Sequence, residues 1–292
     1  MRAARFPRLR SAAPLAVLGA LALLLIAAPS AFADFFTPEN KGGSRNADDI
    51  QTLFVIAMII GGVIFAGVEG VLVYSLIRFR RRRGGPEPAQ IRGNTPLEMG
   101  WTVGAAVIVA ILAVITFAFL GGITTPERSL PSGATAGNAL QVASIDQASV
   151  PGGHSLEIHV NGQQYLWRYD YPAVRGQQVF GYYDMYVPVG TTVTLKITSS
   201  DVAHSWWIPK LGGKADAIPG HTNSTWFRIN RPGIYTGECA ELCGEGHADM
   251  RARVIAVPPA QFQAWLVRQA ADIKDAQAKL SLARQIRGEG NP

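Results

Sequence analysis

Two long apolar runs, residues 51–77 and 101–123, constrain this chain before anything else does. Each reaches the roughly 20 residues that a helix needs to cross a bilayer. In lipid, only helices and closed barrels satisfy their own backbone polar groups. Between the runs stand Arg78, Arg80, Arg81, Arg82 and Arg83, followed by Gly84-Gly85-Pro86. Short loops rich in Lys and Arg stay in the cytoplasm, so the loop 78–100 is expected there. Residues 34–123 therefore read as a two-helix transmembrane hairpin with both ends outside.

The N-terminus gives the same topology independently. Arg2, Arg5, Arg8 and Arg10 precede an apolar stretch over 15–28, and Ala31-Phe32-Ala33 forms a small-residue cleavage site. Residues 1–33 read as a signal peptide cut before Asp34. An uncleaved first helix is the alternative, but the apolar stretch is short for a span. The expected location is the plasma membrane of a bacterium, multi-pass, with the large domain on the extracytoplasmic side.

Charge excludes one class of partner. The net charge is +6, but four of the positive charges lie in the leader and five follow the first span. From Thr124 onward acidic and basic residues nearly balance, so no basic stripe exists for a phosphate backbone and no nucleic acid is expected.

Residues 124–150 are rich in Ala, Ser, Gly and Pro and read as a linker. Over 151–258 the pattern turns strand-like. Leu156-Glu157-Ile158-His159-Val160 alternates with period two, as do parts of 183–187 and 192–197. Turn residues such as Pro188-Val189-Gly190 and Arg231-Pro232-Gly233 separate them, which predicts a β-sandwich or barrel. After Pro258-Pro259, residues 259–292 read as a helical tail, with Phe262, Trp265 and Leu266 on one face.

The chemistry concentrates in one loop. Cys239, Cys243, His247 and Met250 follow the spacing C-x₃-C-x₃-H-x₂-M, and His204 lies upstream at the end of a predicted strand. Thiolate, thioether and imidazole together select copper over hard cations. Methionine is outside the usual ligand set of structural zinc. A single-copper blue site needs one Cys, two His and a weak Met; here a second Cys is present. Two thiolates in one loop can bridge two metal ions, with one imidazole for each. The other reading of a Cys pair in an exported domain is a disulfide, which would leave His204, His247 and Met250 without a role. His154, His159 and His221 have no sulfur ligand near them in sequence and read as structural or solvent-exposed.

These residues resemble a known family. His204-Ser205-Trp206, Lys214-Ala215-Asp216-Ala217-Ile218-Pro219-Gly220, Arg231-Pro232-Gly233 and Cys239-Ala240-Glu241-Leu242-Cys243-Gly244 are similar to the copper A domain of cytochrome c oxidase subunit II. The resemblance extends to the hairpin and to the aromatic stretch 164–171. It implies a two-helix transmembrane hairpin, then an all-β cupredoxin-like Greek-key sandwich, then a C-terminal helix. It further implies that His204, Cys239, Cys243, His247 and Met250 ligate copper through side chains, and Glu241 through its carbonyl. The Glu241 carboxylate would also hold a magnesium or manganese ion shared with oxidase subunit I. Electrons would arrive from cytochrome c, soluble or complex-bound, and leave for the haem and copper of subunit I. There oxygen is reduced and protons are translocated; the implied catalytic residues lie outside this chain. The family's Trp-x-Trp reads Tyr165-Leu166-Trp167 here, so Tyr165 and Trp167 stand where electrons would enter. Glu98, ahead of the second span, matches a glutamate at the mouth of a proton path. Glu69 lies inside the first span, where charge is costly and should face protein.

Rival readings part from this one at particular residues. A membrane-anchored copper chaperone of the Sco type has C-x₃-C-P on a thioredoxin-like fold, whereas Gly244 follows Cys243 here. Quinol oxidase subunit II lacks the ligands. Nitrous oxide reductase carries a propeller for which this chain has no room. Subunit II of a copper-A-type nitric oxide reductase stays open, because the partner subunit decides the reaction. No C-x-x-C-H motif for an attached haem occurs.

Overall fold

The computed structural model describes residues 42–80, 87, 89–129 and 155–287. The expected leader over 1–33, most of the linker over 124–150, the arginines at 81–83 and His154 lie outside the described residues.

Two helices come first, α1 (Arg45–Arg78) and α2 (Thr95–Thr124). Both are long and apolar enough to cross a membrane, and neither buries any of its apolar stretch within the chain. Each starts ahead of the apolar run read from the sequence. In α1 the polar first turns are held by the following domain: Asn46, Ala47 and Gln51 are buried. In α2 a reciprocal cap sets the start. Asn94 accepts a hydrogen bond from the Leu97 amide at 3.2 Å, and Glu98 accepts one from the Asn94 amide at 3.1 Å. These bonds satisfy amides that a helix N-terminus leaves without partners.

Ten strands follow: β1 (Leu156–Gln163), β2 (Leu166–Val174), β3 (Gln177–Tyr182), β4 (Asp184–Pro188), β5 (Thr192–Ser199), β6 (His204–Trp207), β7 (Ala215–Ala217), β8 (Asn223–Arg228), β9 (Gly233–Cys239) and β10 (Arg251–Val257). They form two five-stranded sheets, ordered β3-β2-β1-β5-β8 and β4-β10-β9-β6-β7. β1 runs parallel to β5 and β10 parallel to β4; the other pairs are antiparallel. The alternation read in 156–160 appears as alternating burial, with Leu156, Ile158 and Val160 inside. Trp167, Tyr169, Leu195, Trp206 and Phe227 fill the space between the sheets. Trp206 and Phe227 stack with ring centroids 6.1 Å apart. Tyr171 links β2 to β4: its hydroxyl accepts from the Tyr186 amide at 2.7 Å and donates to the Tyr186 carbonyl at 3.1 Å. Burial pushes the phenols of Tyr169 and Tyr171 above their ordinary pKa.

The C-terminal helix α3 (Pro259–Ile286) packs its first half on this sandwich. Phe262, Leu266, Ala270 and Ile273 are buried, and Trp265 stacks on Tyr186 at 4.6 Å. Its apolar face follows the spacing of a helix that covers a core on one side.

A seam fastens the sandwich to the outer ends of both membrane helices. Trp226 on β8 donates its indole N–H to the Ile123 carbonyl at the end of α2, at 2.8 Å. The Trp226 carbonyl accepts from the Asn46 side chain at the start of α1, at 2.6 Å. The Arg228 amide donates to the Ser44 hydroxyl at 3.1 Å, and the Arg228 guanidinium pairs with Glu127 at 2.5 Å. Thr192 donates its hydroxyl to the Glu127 carbonyl at 2.7 Å. β5 therefore starts at this seam and ends, at Ser199, beside the site described next.

Candidate metal centre

Three elements meet at the end of the sandwich where β5 stops. β6 opens with His204, β9 closes with Cys239, and the loop to β10 carries Cys243, His247 and Met250. Strand pairing fixes the first two. Trp206 lies opposite Cys239, and the amides on either side continue the ladder: Ala240 donates to the Ser205 carbonyl at 2.8 Å and Cys239 to the Met250 carbonyl at 2.9 Å. One 3₁₀ turn, His247–Asp249, brings the loop back.

All five side chains expected to ligate copper converge. The two thiol sulfurs stand 3.9 Å apart, and both cysteines are free. A disulfide bond is about 2.05 Å long, so the disulfide reading does not describe this structure. Each sulfur has its own imidazole. His204 Nδ1 lies 3.9 Å from Cys239 Sγ, and His247 Nδ1 lies 3.6 Å from Cys243 Sγ. Met250 Sδ is 3.9 Å from Cys243 Sγ, and the Glu241 carbonyl oxygen is 3.2 Å from Cys239 Sγ. His204, Cys239, Cys243 and Met250 are buried, while His247 is half-buried.

This donor set fits copper. It offers two thiols, two imidazole nitrogens, a thioether and a carbonyl, the soft combination that copper prefers. The 3.9 Å between the thiols leaves both sulfurs within reach of one metal site. Burial pushes the Cys243 thiol up to about 11, and neighbouring Cys239 adds to the shift. Without a metal the Cys243 thiol therefore stays protonated at neutral pH, and a metal must displace that proton.

A second layer of residues holds the ligands, and sequence reading did not find its key member. Asp201 Oδ1 meets His204 Nε2 at 2.8 Å, on the ring nitrogen opposite the thiols. Metal-binding histidines are commonly oriented by such a carboxylate. Burial alone would raise the Asp201 carboxyl. Hydrogen bonds from the Gln164 and Val202 amides, from His204 and from the Ser199 hydroxyl outweigh it and hold the pKa at about 2. The D-x-x-H spacing before β6 was the available signal.

The two aromatics singled out in the sequence take different places. Trp167 has no exposed surface and meets the His204 ring edge-on, with centroids 5.9 Å apart. Tyr165 is half-buried and lies against the ligand loop. A Cβ added at Gly246 would stand 2.5 Å from its ring, and one at Gly244 would stand 2.5 Å from its hydroxyl. Only glycine permits this approach, and Gly244 also adopts a positive φ of 132°. Gly162 plays the same part on β1, where a Cβ would meet the His204 ring at 2.9 Å.

The remaining candidates lie elsewhere. The Glu241 side chain is exposed although its carbonyl faces the thiols. Glu98 is exposed at the start of α2, and Glu69 is exposed within α1. His159 and His221 are exposed and do not belong to the cluster formed by His204, Cys239 and Cys243.

Comparison with known proteins gives a consistent result. A family model described as the transmembrane domain of cytochrome c oxidase subunit II matches residues 39–119, and one described as its periplasmic domain matches 179–257. Cytochrome c oxidase subunit 2 of Synechocystis sp. is 32% identical over 283 residues, covering 86% of this chain and 83% of that protein. The same subunit of Alkalihalophilus pseudofirmus is 32% identical over 224 residues, covering 76% of this chain. The chain spans 58% of the length of that relative. A crystal structure of the periplasmic domain of subunit II of cytochrome oxidase from Bradyrhizobium japonicum is 31% identical, with a TM-score of 0.38, covering 40% of this chain and 94% of that one.

Proposed function

Because the chain belongs to the cytochrome c oxidase subunit II family, a family of membrane subunits of haem–copper oxidases, we propose that it receives single electrons from a cytochrome c at a two-copper centre and hands them to subunit I. The observation that carries this reading is the pairing of each thiol with its own imidazole across a 3.9 Å gap between unbonded sulfurs. A mononuclear site would need only one of the two cysteines.

Two coppers, which His204, Cys239, Cys243, His247, Met250 and the Glu241 carbonyl would hold, would supply one-electron transfer. The chain's own contribution is to keep the ligands still and dry. His204 is fixed by Asp201 behind it, the thiols are fixed at a strand end and in a short loop, and Met250 begins the return into β10. Burial of the sulfurs would limit how far the surroundings reorganise as charge arrives and departs. The partner subunit reduces oxygen, coupled to proton translocation, and this chain makes no covalent bond of that reaction.

Electrons would enter at Tyr165, the aromatic ring on the outer side of the ligand loop, with Trp167 packed behind it against His204. Charge within that loop supports a basic donor: Glu241, Glu245 and Asp249 are exposed there, and no Lys or Arg lies between Cys239 and Met250. The domain is neutral as a whole but acidic where the donor would dock. Glu241 would serve two metals, its carbonyl turned toward copper and its carboxylate toward a magnesium or manganese ion shared with subunit I. Glu98 would stand at the mouth of a proton path on the cytoplasmic side, its carboxylate held by the Asn94 amide. Glu69, without a partner among the described residues, would face a neighbouring subunit rather than lipid. The sandwich would stand on the extracytoplasmic side of a bacterial plasma membrane.

The full chain in detergent, loaded with copper, tests this reading. Two coppers per chain and a paramagnetic signal coupled to both copper nuclei are expected. One copper with a signal from a single nucleus, or no uptake at all, overturns it.

A further inference from the structure

The ligands come from two pieces of chain that the sequence separates widely, the start of β6 and the loop after β9. One turn, Gln164-Tyr165 between β1 and β2, touches both. The Gln164 backbone N–H donates to Asp201 Oδ2 at 2.7 Å, and the other oxygen of that carboxylate holds His204. The Gln164 side-chain amide donates to the Cys243 carbonyl at 2.6 Å. The next residue, Tyr165, lies flat against Gly244 and Gly246 of the same loop. A single residue thus reaches the His204 half of the site through its backbone and the cysteine half through its side chain.

We propose that Gln164 is a positioning residue that sets the spacing between the two ligand-bearing segments. Its hydrogen bonds go to Asp201 on one side and the Cys243 carbonyl on the other, and through these it acts on the ligands. The geometry suits that task. The turn is anchored by the β1–β2 ladder, whose pairing continues to Gln163 and Leu166. A rigid hairpin end is therefore pressed onto a loop that has only one short 3₁₀ turn of its own. Loops without ladder bonds open locally at small cost. A side-chain donor to the carbonyl of a ligand residue closes the loop at its midpoint. This role rests on the two-copper reading for its purpose, but the clamp itself is a property of the metal-free fold.

The test uses two substitutions of similar length in the full chain. Gln164→Met removes the donor, and Gln164→Lys retains one. Backbone amide exchange is measured on the metal-free protein. In Q164M, exchange over 244–250 is expected to quicken about fivefold, the scale of one net hydrogen bond, with the β1 and β5 amides unchanged. Q164K is expected to exchange as the parent does. After copper loading, Q164M is expected to show altered copper coupling in its paramagnetic signal and faster loss of copper to a chelator, whereas Q164K is not. Unchanged loop exchange in Q164M overturns the clamp, as does an equal change in both variants. The exchange result decides the clamp whether or not copper binds. Failure of the parent chain to take up two coppers counts against the two-copper reading alone.

Discussion

Asp201 Oδ1 and His204 Nε2 stand 2.8 Å apart, so one carboxylate fixes the ring that faces the thiols from its opposite nitrogen. The same carboxylate collects two backbone amides and a hydroxyl, which makes it rigid as well as charged. Replacing it by alanine frees the imidazole to turn and removes the carboxylate that holds its outer nitrogen. Asp201→Ala is expected to weaken copper binding about 10- to 100-fold, the usual effect of losing such a partner. Competition with a chelator of known affinity measures it. Equal affinity in the two proteins would show that strand geometry alone orients His204.

Glycine at 246 is required by the tyrosine that covers it. Gly246→Ala puts a methyl 2.5 Å from the Tyr165 ring, and such overpacking costs about 1–3 kcal/mol. Pairing the substitution with Tyr165→Ala should return most of that loss. Melting temperatures of the four proteins in the cycle give the coupling; additive effects would place the strain elsewhere.

Tyr171 offers a contrast, because it stabilises the sandwich without touching the site. Tyr171→Phe strands the Tyr186 amide and carbonyl in a largely buried place. Leaving such groups unmade costs about 1–3 kcal/mol. The melting temperature should fall by several degrees while the copper signal stays that of the parent. A changed signal would mean that the two sheets transmit strain to the metal loop.

Trp226 joins the sandwich to both membrane helices with a single side chain and its own carbonyl. Trp226→Phe keeps most of the packing and loses the bond to Ile123. Proteolysis of the chain in detergent should cut faster near the seam, over 124–129, and the copper signal should be unaffected. Loss of copper in this variant would tie the seam to the metal.

The parts of the site that could be read from sequence were those confined to one segment. Cys239, Cys243, His247 and Met250 sit in one loop, so their spacing is their geometry. His204 could be added because it was expected at a strand end, although it opens β6 rather than closing a strand. Gln164 could not, since its bond to the Cys243 carbonyl spans 79 positions and depends on where the β1–β2 hairpin ends. The fold divides in the same way. Alternation exposed β1 and β5, and the stripe of Phe262, Trp265 and Leu266 exposed α3. The start of α1 was not visible, because Asn46 and Asp48 look unlike a membrane span. They become helix only where the domain supplies partners such as the Trp226 carbonyl, 180 positions away.

β5 has Thr192 bonded to the backbone just beyond the second membrane helix and Ser199 bonded to the carboxylate behind His204. One uninterrupted strand thus spaces the membrane helices from the ligand cluster. A strand advances about 3.3 Å per residue, and its faces alternate. A single inserted residue would turn the core face outward, and only paired insertions would preserve packing. The distance between the seam and the His204 end of the sandwich can therefore change only in steps of about 6.6 Å if the core face of the strand is kept.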